Sequence, residues 1–173
     1  STGWAATFVC EHNWVGALYP KQAQDVLFAG GRYFMAPLVS TPPAMATPVE
    51  GGYRINARWK WGSGVMHSNW CMGMAMIMGE GAGEAGAPPK ALNVTLPISQ
   101  VTVLDTWHVA GLAATGSNDI VVDDVFVPEY MTVPQETLAM GCTPGSQIHA
   151  NPMYKMPFTA FLSLVTSAPT IGA

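Results

Sequence analysis

Apolar positions fall into three regimes along the chain. From Ser1 to Tyr19 they recur at Trp4, Phe8, Val9, Val15 and Leu18, which predicts a helix with a wide buried face, capped by Ser1 or Thr2. Pro20 suits the first turn of a second short helix, Lys21 to Phe28, closed by Gly30-Gly31. From Tyr33 to about Pro134 the helical period is lost. Short apolar or alternating runs are broken by Pro42-Pro43, Gly51-Gly52, the stretch Gly79 to Pro89, Pro97 and Gly116, as expected of short strands in a barrel or sandwich. Arg54 to Trp61 and Asn69 to Met78 are expected to be neighbouring strands, and Ala91 to Leu96 with Gln100 to Leu104 a second pair. The Gly/Ala/Glu/Pro stretch Gly79 to Pro89 reads as a flexible surface excursion. Phe158 to Ala173 is apolar again and looks like the start of a helix. A helix, a β-domain and an unfinished helix are most simply explained as a piece of a longer, three-part polypeptide.

One β-segment stands apart. In Gly111 to Glu129 a run of small residues (Gly111, Ala113, Ala114, Thr115, Gly116, Ser117) leads into a strand carrying Ile120, Val122, Val125 and Val127 and stopped by Pro128. Small side chains allow close backbone approach to a ligand, and the N–H and hydroxyl donors could cradle an anion such as a phosphate. A tight turn in any β-domain would look the same.

Composition narrows the function classes. Hydrophobic residues make up 49% and charged residues 10% of the chain, against about a quarter charged in a typical soluble domain. Part of this apolar surface is expected to meet another segment or subunit. A net charge of −4 with seven scattered basic residues argues against nucleic-acid binding. No apolar run reaches the roughly 18 to 20 residues that a bilayer span requires, and Cys71 to Met78 is short enough for a buried strand. Ser1-Thr2-Gly3-Trp4 carries no basic n-region, so a cytoplasmic location is expected. Cys10, Cys71 and Cys142 are far apart and form no C-x-x-C pair, which suggests free, mostly buried thiols and no metal. The four histidines have no metal-site spacing either.

Six segments, in order, resemble the acyl-CoA dehydrogenase superfamily: STGW (Ser1–Trp4), HNW (His12–Trp14), GGYRINARWKWGSG (Gly51–Gly64), DTWHVAGLAATGSND (Asp105–Asp119), DDVFVPE (Asp123–Glu129) and NPMYKMPF (Asn151–Phe158). Within it the chain is most similar to the flavin-dependent aromatic monooxygenases of two-component systems, the branch of the p-hydroxyphenylacetate hydroxylases and the secosteroid-phenol hydroxylases. The resemblance implies a mainly β fold: a middle β-barrel domain over 31–140, preceded by the end of an N-terminal helical domain (1–30) and followed by a linker and the start of a C-terminal helical domain (141–173). It also implies reduced FMN or FAD delivered by a separate reductase, an aromatic substrate, oxygen and a homotetramer.

The chemistry of such an enzyme makes demands on the residues. A flavin C4a-hydroperoxide decays if its N5 proton is lost or water enters, so the site needs a small hydrogen-bonding group at N5 and an apolar wall. Trp61-Gly62-Ser63-Gly64 supplies both types, and by resemblance Ser63 is the hydroxyl near N5, with Gly64 beside it and Trp61 near the ring. The pattern is equally that of a strand ending in a Ser-Gly turn with Trp61 in the core. By the same resemblance His12 contacts the substrate, where an imidazole can take a phenol proton or bind a phenolate; otherwise it is a core histidine, and Asn13 and Trp14 only fix the helix. Thr115, Gly116 and Ser117 are expected close to flavin ribityl or phosphate groups. His67 could lie near the flavin or substrate, whereas His108 and His149 have weaker cases. Asp119 and Asp123-Asp124 read as solvated or structural. Tyr154 and Lys155 either cover the site or open the third domain.

Two departures from the family pattern matter. Many relatives carry Cys-Asp-His after the Ser-Gly turn, whereas this chain has Val65-Met66-His67. The serine that relatives place near the phenol counts to Leu38 here, with Ser40 two residues away as the substitute candidate. Two alternatives stay open: an acyl-CoA dehydrogenase-like FAD enzyme desaturating an acyl thioester, and an isolated, non-catalytic β-domain.

Overall fold

The computed structural model describes residues 11–31, 33–79 and 89–171, with backbone only at 168–170. The expected cap at Ser1 or Thr2, the STGW segment, Cys10, most of the Gly79–Pro89 excursion and the last two residues lie outside the described residues. The chain divides into two compact units, residues 35–132 and the paired segments 1–34 and 133–173.

The first unit is built on strands. β1 (Leu38–Val49), β2 (Gly52–Gly62), β3 (Trp70–Ile77), β4 (Ala91–Pro97), β5 (Thr102–Leu104), β6 (Asn118–Pro128) and β7 (Thr132–Pro134) form a mixed sheet of order β5-β6-β2-β1-β3-β4-β7. β1 and β3 run parallel, while β1–β2, β2–β6, β3–β4 and β5–β6 are antiparallel. The mainly β expectation for this segment holds, but the barrel does not close: the sheet ends at β5 and β7, and no pairing joins those two among the described residues. Each has three residues.

Both expected strand pairs need correction. β1 lies between β2 and β3, and β5 pairs with β6 instead of β4. The sequence pattern hides β1 because Pro42-Pro43 reads as a breaker. The strand instead passes through the prolines with a register shift between Val39 and Ala44, since proline can sit in a bulge where no ladder donor is required.

Trp59 is the largest fully buried side chain and anchors this core with Ile55, Met72, Leu96 and Ile120. Its indole N–H donates to the Met74 carbonyl at 3.1 Å. Gly73 makes room for it: a Cβ there would overlap the indole ring. Buried beside them, Cys71 has its thiol pKa pushed up by desolvation. Cys71 is buried as expected, whereas Cys142 is exposed.

The other unit is helical. Residues 11–17 form α1, followed by α2 (Lys21–Leu27), α3 (Gln135–Met140), α4 (Pro144–Ile148) and α5 (Phe158–Ile171). Pro20 sits at the N-cap of α2. The Gln24 amide fastens α2 to α1 by donating to the carbonyls of Ala17 at 2.9 Å and Tyr19 at 2.8 Å. Trp14 stacks on Phe161 of α5 with ring centroids 3.8 Å apart, and its indole N–H donates to the Met153 carbonyl at 3.2 Å. The HNW and NPMYKMPF segments, 139 residues apart at that bond, thus meet as one packing unit. Among the described residues no helix is long and apolar enough to cross a membrane.

Candidate active site

β2 turns abruptly at its end. Its register against β6 shifts between Trp59 and Gly62, and Trp61 adopts a left-handed backbone with φ 63°. Positions 59 and 61 would share a face in a regular strand; the irregularity turns Trp61 outward instead. Trp61 is 58% exposed while Trp59 is fully buried, so the core tryptophan of this segment is Trp59. Gly64 follows at φ 78°, a conformation glycine adopts without a Cβ penalty. Ser63 is held half-buried between the two, its N–H donating to the Trp61 carbonyl at 2.8 Å.

The Gly111–Ser117 turn is fastened to this one. The Gly64 N–H donates to the Thr115 carbonyl at 2.8 Å. Ser63 Oγ lies 2.8 Å from Ser117 Oγ, and Ser117 Oγ lies 2.7 Å from Thr115 Oγ1. Thr115 Oγ1 donates to the Leu112 carbonyl at 2.9 Å, and Leu112 and Gly116 are both left-handed. Three hydroxyls from two distant motifs thus form one chain, with Ser117 only 3% exposed. Many of the turn's donors are engaged internally: the N–H groups of Thr115, Gly116 and Asn118 go to Leu112, Ala113 and Gly116 carbonyls. The surplus of free donors expected of an anion cradle is therefore not found at these groups.

Asn118 and Asp119 brace the turn from behind. Asn118 Oδ1 accepts from the backbone N–H groups of Thr106 and Trp107 at 2.9 and 3.0 Å. Asp119, nearly buried, receives Arg58 Nε and Nη2 at 3.2 and 3.1 Å, bridging β2 and β6. Asp119 is structural; neither its Arg58 partner nor the Ser63–Ser117 contact was read from the sequence. Opposite-charge residues on adjacent strands were a signal for the first, whereas the second depends on a register that sequence does not display.

The remaining candidates are placed separately. His67 is exposed on the short helical turn after Gly64 and donates its N–H to the Gly64 carbonyl at 3.0 Å. Ser40 is exposed on β1 at the register shift. No hydrogen bond joins either side chain to the hydroxyl chain among the described residues. His108 faces Asp105 at 3.3 Å in solvent, and His149 Nε2 lies 3.1 Å from Gln24 Oε1.

His12 belongs to the helical unit, on α1, and is buried. Burial lowers its pKa to about 4 and raises that of its neighbour Glu11 to about 7, because desolvation disfavours the charged form of each. Glu11 is the second buried ionisable group here, and its signal in the sequence is a carboxylate at the start of a helix with a wide apolar face. Asn13 exchanges two hydrogen bonds of 3.1 Å with the Phe34 backbone. Asn13 and Trp14 therefore fix the helix, as expected.

The chain is 39% identical over 173 residues to a pigment production hydroxylase of Rhodococcus sp. (strain ATCC 21145), covering all of this chain and 43% of that protein. It is 32% identical over 172 residues to the flavin-dependent monooxygenase oxygenase subunit HsaA of Rhodococcus jostii, covering 99% of this chain and 44% of that one. By sequence the chain is similar to oxygenase subunits of flavin-dependent monooxygenases over less than half of their length. The fold agrees: the 3-HSA hydroxylase structure from Rhodococcus sp. RHA1 superposes with a TM-score of 0.87 at 31% identity, over 99% of this chain and 43% of that one. No family model matches. The chain spans less than half the length of these relatives.

Proposed function

We propose that the protein is the oxygenase component of a two-component, flavin-dependent monooxygenase that hydroxylates a phenolic or polycyclic aromatic compound. The observation that supports this most is the half-buried Ser63 hydroxyl, presented between two left-handed residues and backed by Ser117 and Thr115, with Trp61 exposed beside it. These residues suit a flavin: a small neutral hydroxyl for N5, an exposed aromatic for the ring, and a turn of small residues at Thr115, Gly116 and Ser117 for the ribityl side. Reduced FMN or FAD, when bound, supplies the electrons that activate oxygen.

The chain's own residues then have defined tasks. With a flavin bound, Ser63 and Gly64 would orient the ring edge, and Trp61 would shield its face from water. His12, neutral at pH 7 because burial lowers its pKa to about 4, would accept a hydrogen bond from the substrate phenol. So low a basicity favours holding the phenolic proton over removing it completely. Ser40 and His67 are candidate substrate contacts. The reading further assigns residues 1–30 and 141–173 to helical domains flanking a middle domain over 31–140, and includes a cytoplasmic homotetramer supplied by a separate flavin reductase.

The test is to supply the full-length protein with reduced flavin from a reductase, labelled dioxygen and a panel of phenols. The proposal expects one labelled oxygen atom in a hydroxylated product, lost in Ser63→Ala with peroxide released instead. Bleaching of bound oxidised flavin by an acyl thioester, without phenol hydroxylation, would overturn it in favour of a desaturase.

A further inference from the structure

We propose that the hydroxyls behind Ser63 fix the direction of its proton, so that Ser63 offers a ligand an acceptor and withholds its donor. Resting on the flavin reading above, this makes Ser117 and Thr115 positioning residues that bias the site toward reduced flavin, whose N5 carries hydrogen, and against oxidised flavin, whose N5 does not.

The direction follows from counting protons. A serine or threonine hydroxyl has one proton to give. The Leu112 carbonyl can only accept, and Thr115 Oγ1 lies 2.9 Å from it, so the Thr115 proton points there. Toward Ser117, 2.7 Å away, Thr115 is then the acceptor. Ser117 has given its proton to Thr115 and must accept from Ser63 across 2.8 Å. The Ser63 proton is thereby committed inward, leaving lone pairs outward.

Reversing the chain would set a Thr115 lone pair against the Leu112 carbonyl oxygen. Ser117, 3% exposed, has little access to water as an alternative partner, and an unsatisfied buried polar group is costly. The Leu112 carbonyl is shared among three donors. The left-handed Leu112 also receives the Thr115 N–H at 3.0 Å and the Trp107 indole N–H at 3.1 Å. The Gly64 N–H bond to the Thr115 carbonyl at 2.8 Å ties the two turns together and so keeps the three hydroxyls in reach of one another. Ser117 therefore acts through Ser63 without needing to touch a flavin.

The experiment is an anaerobic binding titration of the full-length protein with reduced and oxidised FMN and FAD, followed by fluorescence. Wild type should favour the reduced form. Ser117→Ala, and independently the isosteric Thr115→Val, release the Ser63 proton outward and should cut the reduced-to-oxidised preference by about tenfold, mainly by tightening oxidised flavin. Thr115→Ser keeps the hydroxyl and should retain the wild-type preference. In a Ser63→Ala background, Ser117→Ala should leave the preference unchanged. If both variants weaken the two flavin forms equally, or leave the preference unmoved, the positioning role is overturned while the flavin reading stands. If wild type binds neither form, the flavin reading fails and this inference with it.

Discussion

The two polar regions of the molecule handle burial in opposite ways. In the strand unit, Ser63, Ser117 and Thr115 are neutral hydroxyls that satisfy one another and lean on a carbonyl, and none titrates in the accessible pH range. In the helical unit, Glu11 and His12 are ionisable groups taken out of water, with desolvation driving both toward their neutral forms. The first arrangement gives a fixed hydrogen-bond direction that pH does not disturb. The second gives a neutral imidazole whose maintenance costs stability as pH moves. An oxygenase of the proposed kind has use for both: orientation at the flavin, and a neutral acceptor at the substrate.

The contrast can be broken most severely in the core of the strand unit. Trp59→Ala removes the fully buried indole over Gly73 and should destabilise the strand unit by about 3 to 5 kcal/mol, read as a lowered midpoint in chemical denaturation.

The pH dependence sharpens the contrast next. Glu11 has a folded pKa of about 7, above its unfolded value, so the folded state holds the extra proton and stability falls as pH rises from about 4.5 to about 7. His12 has a folded pKa of about 4, below its unfolded value, so stability is lost as pH falls from about 6.5 toward about 4. The two slopes oppose each other over most of that window. Glu11→Gln should therefore leave only the histidine slope and raise stability at pH 8 by on the order of 2 kcal/mol. His12→Gln should leave only the glutamate slope. Unfolding curves from pH 4 to 8 read both, and Ser63→Ala should leave the pH profile unaltered.

A smaller effect is expected at the brace behind the turn. Asp119→Asn weakens a pair whose arginine is largely exposed, so the loss should be about 1 kcal/mol or less. It should loosen the Gly111–Ser117 turn more than the sheet, visible as faster amide exchange at Thr115 and Gly116.

What the sequence revealed followed short-range rules. The strand after Gly116, its stop at Pro128, the proline at the start of α2 and the helix from Phe158 all depend on neighbours within a few residues. Two motifs singled out separately, the Ser63 turn and the Thr115–Ser117 turn, lie against each other. Long-range features stayed hidden. β1 was masked by its prolines, β5 was assigned the wrong partner, and Trp61 followed the strand bulge outward while Trp59 took the core. The hydroxyl chain joins residues 54 positions apart at Ser63 and Ser117, and only the β2–β6 register brings them within bonding distance.

The most direct measurement is a structure of the full-length protein with flavin bound. The N5 edge of the flavin is expected within about 3 Å of Ser63 Oγ, with Trp61 against the ring and the Ser63–Ser117–Thr115 chain intact behind it. A flavin ring bound away from Ser63, or a Ser63 hydroxyl turned out of the chain to donate to N5, would contradict this expectation.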